Sequence, residues 1–212
     1  MIKRILMIPK TTPREALYVE TGLLDIENTI IKNRINYNVR VLNTDKINLG
    51  ILTRNDEKGS WKEKTNKLIE EYQITTEDMT GKKESTKRKI GIKIRNKFKN
   101  NLETTGKTKS KIKFLLDNKQ EWTIGKPAQY MNKLNRYQAS IIFKTRSRML
   151  EVKNNYKNKY RDHKCRLCNI HEEDQMHVLQ TCPELQNKGL ETVTIMEIFN
   201  ENAESLKETA KK

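Results

Sequence analysis

Apolar residues along most of the chain return at intervals of three and four, which is typical of amphipathic helices and not of strands. The sequence TTPREAL has the form of a capping box that starts at Thr12, and it predicts a helix as far as Glu20, which Gly22 ends. Apolar positions between Leu24 and Val41 predict a second, longer helix. We therefore expect a mostly α fold.

Helical periodicity continues beyond a segment of loop character at residues 48–60, which contains two glycines. The most regular spacing occurs in AQYMNKLNRYQASIIFKTRSRMLEV, which predicts one uninterrupted helix over residues 128–152. The only strand pattern is a short hairpin that could form around the cysteines. The remaining predicted helices cover residues 61–73, 84–101, 109–122 and 192–209.

The composition narrows the class of protein. Of the 212 residues, 34% are hydrophobic and 33% are charged, which fits one or two modest domains and argues against a large enzyme with a deep pocket for a small molecule. The longest apolar runs have about four residues, far short of the roughly 20 that span a bilayer. Three cysteines cannot all form disulfides, which favours an intracellular protein that uses its thiols for another purpose, such as metal binding.

The net charge of +16 is concentrated in the middle of the chain. Residues 61–160 contain 26 Lys and Arg against 10 Asp and Glu, whereas residues 1–60 are nearly neutral and residues 161–212 are slightly acidic. This contrast divides the sequence into a helical segment (1–60), a basic helical region (61–160), a cysteine-containing element (161–190) and an acidic C-terminal helix (191–212).

Such a density of positive charge makes nucleic acid the natural partner of the basic region, because bound phosphates neutralise the charge and release counterions. A solvated helix face in a lysine-rich chain is the alternative interpretation. An anionic lipid surface is a weaker one, since no aromatic-bearing amphipathic helix accompanies the lysines. The expected phosphate contacts in this region are Lys87, Arg88, Lys89, Lys93, Arg95, Lys97, Lys99, Lys133, Arg136, Lys144, Arg146 and Arg148.

Cys165, Cys168, His177 and Cys182 form a C-x2-C-x8-H-x4-C array that uses all three cysteines of the chain. Two thiols separated by two residues can face one metal ion from a tight turn, and a His and a Cys five positions apart can complete a tetrahedron. Zinc is the expected ion. Because four protein ligands leave no position for water, the site should be structural. His171 remains an alternative to His177 as the fourth ligand.

Two stretches of the sequence resemble the C-terminal part of non-LTR (LINE-like) retrotransposon reverse transcriptases. IPKTTPREALYVETGLLDIENTIIKNR is similar to the segment that follows the polymerase domain, where an ALYxETG helix occurs. The stretch from QASIIFKTRSRMLEV to TCPEL is similar to the region in which an arginine-bearing helix leads into a Cys-Cys-His-Cys zinc element. The two matches cover about residues 8–43 and 137–185, and the residues between them match only in charge.

The resemblance implies thumb-like and linker helices that precede a small zinc-stapled C-terminal element, in a region that follows a polymerase domain. It also implies that the chain grips element RNA and target DNA during target-primed reverse transcription, with the upstream polymerase domain as a further partner. A nuclear location would follow, and KKESTKRK at residues 82–89 could act as an import signal. The implied zinc ligands are Cys165, Cys168, His177 and Cys182, and the implied backbone contacts are Arg146, Arg148, Lys153, Lys157 and Lys159.

Catalytic residues of that family are missing from the sequence. It contains no Tyr-x-Asp-Asp motif and no Asp-Asp pair, so the two metal-binding carboxylates of a polymerase are absent, and no nuclease-like acidic cluster follows the zinc element. We therefore expect a noncatalytic nucleic-acid-binding region with a structural zinc ion. Two alternatives stay open, namely a zinc-stabilised module for protein interaction and a translated relic of a retroelement without a function.

Overall fold

The computed structural model describes residues 2–43, 60–119, 121–189 and 192–199. Within these ranges the chain is mostly helical and has no β-strand, which confirms the mostly α prediction, and no helix is long and apolar enough to cross a membrane. The helices are α1 (Ile2–Ile5), α2 (Arg14–Thr21), α3 (Ile26–Leu42), α4 (Trp61–Glu71), α5 (Thr76–Met79), α6 (Lys83–Lys107), α7 (Ser110–Asn118), α8 (Tyr130–Lys133), α9 (Arg136–Arg146), α10 (Pro183–Asn187) and α11 (Ile195–Phe199), with a 3-10 turn at Lys153–Tyr156 and a π-helical turn at His177–Thr181.

Packing divides the chain into two compact units, with one boundary between α2 and α3 and the other within α6. Unit 1 comprises Met1–Leu23 and Glu103–Lys212, and unit 2 comprises Leu24–Leu102. These units group residues by contact, whereas the four segments expected from the sequence group them by charge. The division into four segments therefore stays a prediction. The predicted loop at 48–60 lies outside the described residues except for Ser60, the N-cap of α4.

The first predicted helix is present as α2, but its predicted capping box is wrong. Pro13 occupies the N-cap position, and no side chain caps the helix. The Thr12 hydroxyl is buried without a hydrogen-bond partner among the described residues. With the cap one residue later than predicted, Glu15 lies too early in the helix to complete a box, and it forms an ion pair with Lys109 instead.

Gly22 ends α2 for two reasons that the structure shows together. Its φ of +64° lies in the left-handed region, where a residue with a Cβ is strained. A Cβ at this position would also collide with the backbone of Lys126, whose segment is bonded to the end of α2. The N–H of Gly125 donates to the Gly22 carbonyl at 2.7 Å, and that of Ala128 donates to the Glu20 carbonyl at 2.8 Å.

The prediction of one uninterrupted helix over residues 128–152 is wrong. The helix ends at its C-cap, Leu134, and a new helix, α9, begins at Arg136. Asn135 accepts a hydrogen bond from the Gln138 N–H at 3.0 Å, and the Gln138 side chain accepts one from the Asn135 N–H at 3.4 Å. This reciprocal cap satisfies N–H groups of a new first turn, so a fresh start competes with continuation. The apolar spacing is compatible with both outcomes.

The core of unit 2 is built from α3, α4 and α6. Apolar side chains recur every four residues along α6, at Ile90, Ile94, Phe98 and Leu102, and they are buried. The neighbouring face of α6 carries lysines that bond to the ends of α4 and α5, so these side chains take part in the fold. Their Nζ atoms donate to the carbonyls of Glu77 (from Lys89, 3.0 Å), Gln73 (from Lys93, 2.6 Å) and Glu71 (from Lys97, 2.6 Å).

Lys93 also forms an ion pair with Asp78, from which a pH dependence follows. Their side chains are 2.6 Å apart, and the hydrogen bond from Lys93 lowers the pKa of Asp78 from 3.8 to about 2. Because the pKa of Asp78 is lower in the folded protein, the ionised carboxylate stabilises the fold at pH values above its ordinary pKa of 3.8. This stabilisation disappears as the pH falls towards 2. Because the lysine is a third exposed, we expect Asp78→Asn to lower the free energy of unfolding by about 1 kcal/mol at neutral pH.

Urea titrations at several pH values would measure this difference. The deficit of Asp78→Asn should shrink between about pH 4 and about pH 2, where the native carboxylate takes up its proton. Glu77→Gln, at the preceding and exposed position of α5, is the control and should show a smaller deficit. An equal and pH-independent effect of both substitutions would contradict a stabilising role of the Lys93 pair.

Candidate metal centre

The four predicted ligands lie together in unit 1. One ligand atom from each of Cys165, Cys168, His177 and Cys182 can be chosen so that all lie within 4.8 Å of one another. The sulfur atoms of Cys165 and Cys182 are 3.9 Å apart, and Cys168 Sγ is 3.3 Å from His177 Nε2. A tetrahedral zinc site has edges of about 3.8 Å between sulfurs and about 3.6 Å between sulfur and nitrogen. The cluster therefore has the size of a site that could bind a metal ion.

A short hairpin places the first two cysteines, in agreement with the hairpin expected around them. The Cys165 N–H donates to the His171 carbonyl at 2.7 Å, and the Glu173 N–H donates to the His163 carbonyl at 2.8 Å. Between these bonds the chain turns through Asn169, whose φ of 55° is left-handed and is tolerated by asparagine. The tight turn brings the Cys168 thiol back beside the first cysteine.

A π-helical turn places the other two ligands. In an α-helix, residues five positions apart differ by about 140° around the axis, so His177 and Cys182 would diverge. Here the Cys182 N–H donates to the His177 carbonyl at 2.8 Å, which closes a wider turn and brings both side chains to one side. Asp174 starts this turn, since its carboxylate accepts from the His177 N–H at 2.8 Å.

The orientation of the imidazole agrees with Nε2 as the ligand atom. Nδ1 of His177 lies 3.4 Å from the Thr181 hydroxyl, which can accept a hydrogen bond from the Nδ1–H group and orient the ring. His171 does not belong to the cluster of four. Its exposed ring packs against that of His177, with 5.4 Å between ring centres, so the structure favours His177 over the alternative ligand.

The thiols differ in how readily they lose a proton. Hydrogen bonds from the backbone N–H groups of His171 and Ile170 lower the pKa of Cys168 to about 6, with a further contribution from the His177 ring. Burial raises the pKa of Cys182. Cys182 is almost fully buried, so it becomes a thiolate most readily when a cation takes the place of its proton.

Glu173, which the sequence analysis did not single out, anchors the cysteine-containing element (161–190), here called the metal element, to the segment after α9. Its carboxylate is 2% exposed and accepts hydrogen bonds from the backbone N–H groups of Lys153 (3.1 Å) and Arg166 (2.8 Å) and from the Arg166 guanidinium. Burial acts to raise the pKa of Glu173, but these hydrogen bonds outweigh it and lower the pKa below its ordinary value. The carboxylate thus joins the 3-10 turn to the hairpin.

The expectation that Arg146 contacts phosphate is wrong. Its side chain is completely buried in unit 1, where NH1 lies 3.5 Å from the Glu20 carboxylate and Nε donates to the Ile198 carbonyl at 2.9 Å. The guanidinium lies 4.7 Å from the Tyr130 ring centre, and Lys119 lies 3.4 Å from the other Glu20 oxygen. A group enclosed in this way cannot reach a phosphate in the folded protein.

Glu20 was likewise missed by the sequence analysis, although a signal was present. It follows the buried Ala16 by four positions and the buried Leu17 by three, so the helical period already places it on the core face of α2. A carboxylate in such a position requires a buried cation as partner, because an unpaired charge is costly to bury. The sequence does not reveal that this partner is Arg146, which is 126 positions away.

The other expected phosphate contacts differ in exposure and in the partners they already have. In unit 1, Lys144 pairs with Glu151 at 3.3 Å, and Lys153 pairs with Asp162 at 3.4 Å. The partly buried ones are Lys144 and Lys153 in unit 1 and Lys93, Arg95, Lys97 and Lys99 in unit 2. The exposed ones are Lys133, Arg136, Arg148, Lys157 and Lys159 in unit 1 and Lys87, Arg88 and Lys89 in unit 2.

Comparison with known proteins does not identify the chain. No family model, no curated protein and no solved structure matches it. The class of the protein is therefore defined by its own geometry, as a basic helical chain with a closed Cys3His cluster that could bind a metal ion.

Proposed function

We propose that this chain is a noncatalytic, zinc-stabilised nucleic-acid-binding region of a non-LTR retrotransposon reverse transcriptase. In this proposal it grips element RNA and target DNA, while an upstream polymerase domain carries out synthesis. The nucleus is then its place of action, with residues 82–89 as a candidate import signal. The first part of the proposal rests on the site, and the family rests on the resemblance.

The observation that carries the proposal is the attachment of a basic turn to the metal element. Glu173 bonds to the backbone of Lys153 and to Arg166, two positions before Cys168. Lys157 and Lys159, both exposed, directly follow the 3-10 turn at Lys153–Tyr156, and residues 153–159 together form this basic turn. A bound ion would order the hairpin and, through Glu173, hold these lysines in place, which reduces the entropy lost when they meet a phosphate backbone.

Zinc is the metal that this ligand set fits best. Three thiolates and one imidazole are the ligands of structural zinc sites, and the distances of 3.9 Å between Cys165 and Cys182 and 3.3 Å between Cys168 and His177 are near the edges of a zinc tetrahedron. All four ligands come from the protein, and two of the sulfurs are buried, so no coordination position is open for a water molecule that could react. The site therefore supports a structural role and no catalytic one.

The packing of unit 1 supports the family assignment within this proposal. Glu20 belongs to the ALYVETG sequence, and Arg146 belongs to the arginine-bearing helix before the zinc element. These two motifs carry the resemblance from opposite ends of the chain, and their charged residues form one buried ion pair. The two segments that carry the resemblance therefore belong to one packed unit.

The purified chain should retard single-stranded RNA and DNA at low salt, with an affinity that falls steeply as salt is added, because phosphate contacts release counterions. In a plot of the logarithm of the binding constant against that of salt concentration, Lys157→Gln with Lys159→Gln should reduce the slope by about 1.4 for a single strand, or about 0.7 per phosphate contact. Fluorescence anisotropy at several salt concentrations measures this.

The matched control is Lys126→Gln with Lys188→Gln, which removes the same charge from exposed positions of unit 1 that do not line the cavity beside Lys159. This pair should leave the slope closer to that of the unchanged protein. Complete absence of retardation at low salt would refute nucleic-acid binding. Equal slopes for both double variants would show that the basic turn is not the contact surface.

A further inference from the structure

A groove of about 960 Å³ lies within unit 2, between α3 and the start of α6. Its walls carry four cationic side chains, Lys32, Arg40, Lys83 and Lys87, and no carboxylate is found among the described residues that line it. Glu84 pairs with Lys87 at 3.2 Å, but both side chains are exposed, so this pair is weak and can exchange for another anion. The groove is thus suited to an extended polyanion.

One aromatic ring is held at the groove in an open position. Tyr37 is 42% exposed and lines the groove. The Trp61 ring meets it edge-on, with ring centres 6.0 Å apart and an interplanar angle of 88°, and the Arg40 guanidinium lies 5.1 Å from its centre. Trp61 is itself held by Arg34, which donates to its carbonyl at 2.8 Å. These contacts restrict the Tyr37 ring before any ligand arrives.

Side-chain amides complete the lining. Asn33, Asn36 and Asn43 are part of the groove wall, and the Asn36 oxygen is buried without a hydrogen-bond partner among the described residues. A carbonyl without a partner in the free protein gains one when the amide turns towards a donor in the groove. The exposed edge of an unpaired base offers both N–H donors and acceptors of this kind.

We propose that this groove is a binding site for single-stranded nucleic acid. Phosphates lie along the four cations, one base stacks on Tyr37, and the Asn36 amide bonds to a base edge. Single strands fit this arrangement because their bases are free to stack on aromatic rings, whereas a duplex hides the base faces. The inference rests on the proposed function and deepens it by naming a second site, outside the basic turn. Of the four cations, Lys83 and Lys87 lie in the segment 82–89 that the sequence analysis singled out, and Lys32 and Arg40 do not.

The test uses the whole chain and fluorescein-labelled oligouridylate, oligodeoxythymidylate and a blunt duplex of equal length. Tyr37→Ala should weaken binding of the single strands by roughly 5- to 100-fold through loss of stacking, and Tyr37→Phe should bind like the unchanged protein. Lys32→Gln with Lys83→Gln should lower the salt slope by about 1.4. Lys64→Gln with Lys67→Gln, exposed on α4 outside the groove, is the charge-matched control.

Thermal unfolding followed by circular dichroism identifies any variant that fails to fold. If Tyr37→Ala fails to fold, comparison of the Lys32/Lys83 variant with the Lys64/Lys67 control still tests the groove. Wild-type affinity in both Tyr37→Ala and the Lys32/Lys83 variant would overturn the groove while leaving the proposed function intact. Preference for the duplex would overturn it as well. If the unchanged protein binds none of the probes at low salt, the proposed function itself fails.

Discussion

Replacement of Cys165 and Cys182 by serine should abolish stoichiometric zinc binding and unfold the metal element of unit 1. Both thiols are buried, and a hydroxyl is a poor substitute for a thiolate at a soft ligand position. Structural zinc contributes about 10–16 kcal/mol of apparent binding free energy to small zinc modules, so we expect a loss of stability on the order of 5 kcal/mol or more. Metal analysis of the purified chain and urea unfolding measure the two effects.

The histidines provide the matched control for this prediction. His177→Ala should also lose the metal, whereas His171→Ala should keep one zinc ion per chain, because the His171 ring only packs against the ligand. A chelator added to the unchanged protein should reproduce the unfolding seen with the cysteine variant. Stoichiometric zinc in the double cysteine variant would refute the site. Zinc loss in His171→Ala but not in His177→Ala would show that His171, and not His177, is the fourth ligand.

Replacement of Arg146 by alanine should lower the free energy of unfolding by about 3–5 kcal/mol, although sequence patterning marks this residue as a surface contact. The substitution leaves the Glu20 carboxylate, which is 0% exposed, with Lys119 as its remaining cationic neighbour. Arg136→Ala is the control on the same helix. Its side chain is exposed, and its loss should cost about 0.5 kcal/mol. Urea unfolding of both variants gives the comparison.

A double-mutant cycle separates the ion pair from simple loss of volume. Glu20→Gln combined with Arg146→Met should cost less than the sum of the two single substitutions, because each single change leaves a buried charge without its partner. Additive costs would contradict coupling between the two groups. A stable Arg146→Ala variant with weakened nucleic-acid binding would instead support the interpretation of Arg146 as a phosphate contact.

The metal cluster was predictable because its ligands are close in sequence. Only 17 positions separate Cys165 from Cys182, and the spacing of thiols and imidazole expresses the geometry of tetrahedral coordination directly. The π-helical turn itself was not predictable, because a His and a Cys five positions apart can be brought together either by a widened helical turn or by a non-helical loop. Glu173 escaped notice because its role depends on Lys153, which is 20 positions away.

Helices were predictable where one local signal acts alone. α3 extends from Ile26 to Leu42, close to its apolar pattern. The predicted helix over residues 128–152 failed because apolar spacing and a local capping signal compete there, and the cap at Asn135 prevails. Of the final predicted helix at 192–209 the structure describes residues 192–199, in which 192–194 are not helical and Ile195–Phe199 form α11, and residues 200–209 lie outside the described residues.

By itself the sequence determined that this protein is helical, strongly basic in its middle and equipped with four closely spaced side chains that could bind a metal ion, since periodicity, composition and spacing are local properties. Tertiary structure decided what each charge does. Arg146 lies beside Glu20 in the core, Lys93 bonds to the Gln73 carbonyl in unit 2, and Lys32 and Lys83 line one groove. The energy of a charge depends on whether packing leaves it in water or encloses it with a partner, and that is set by residues far apart in the chain.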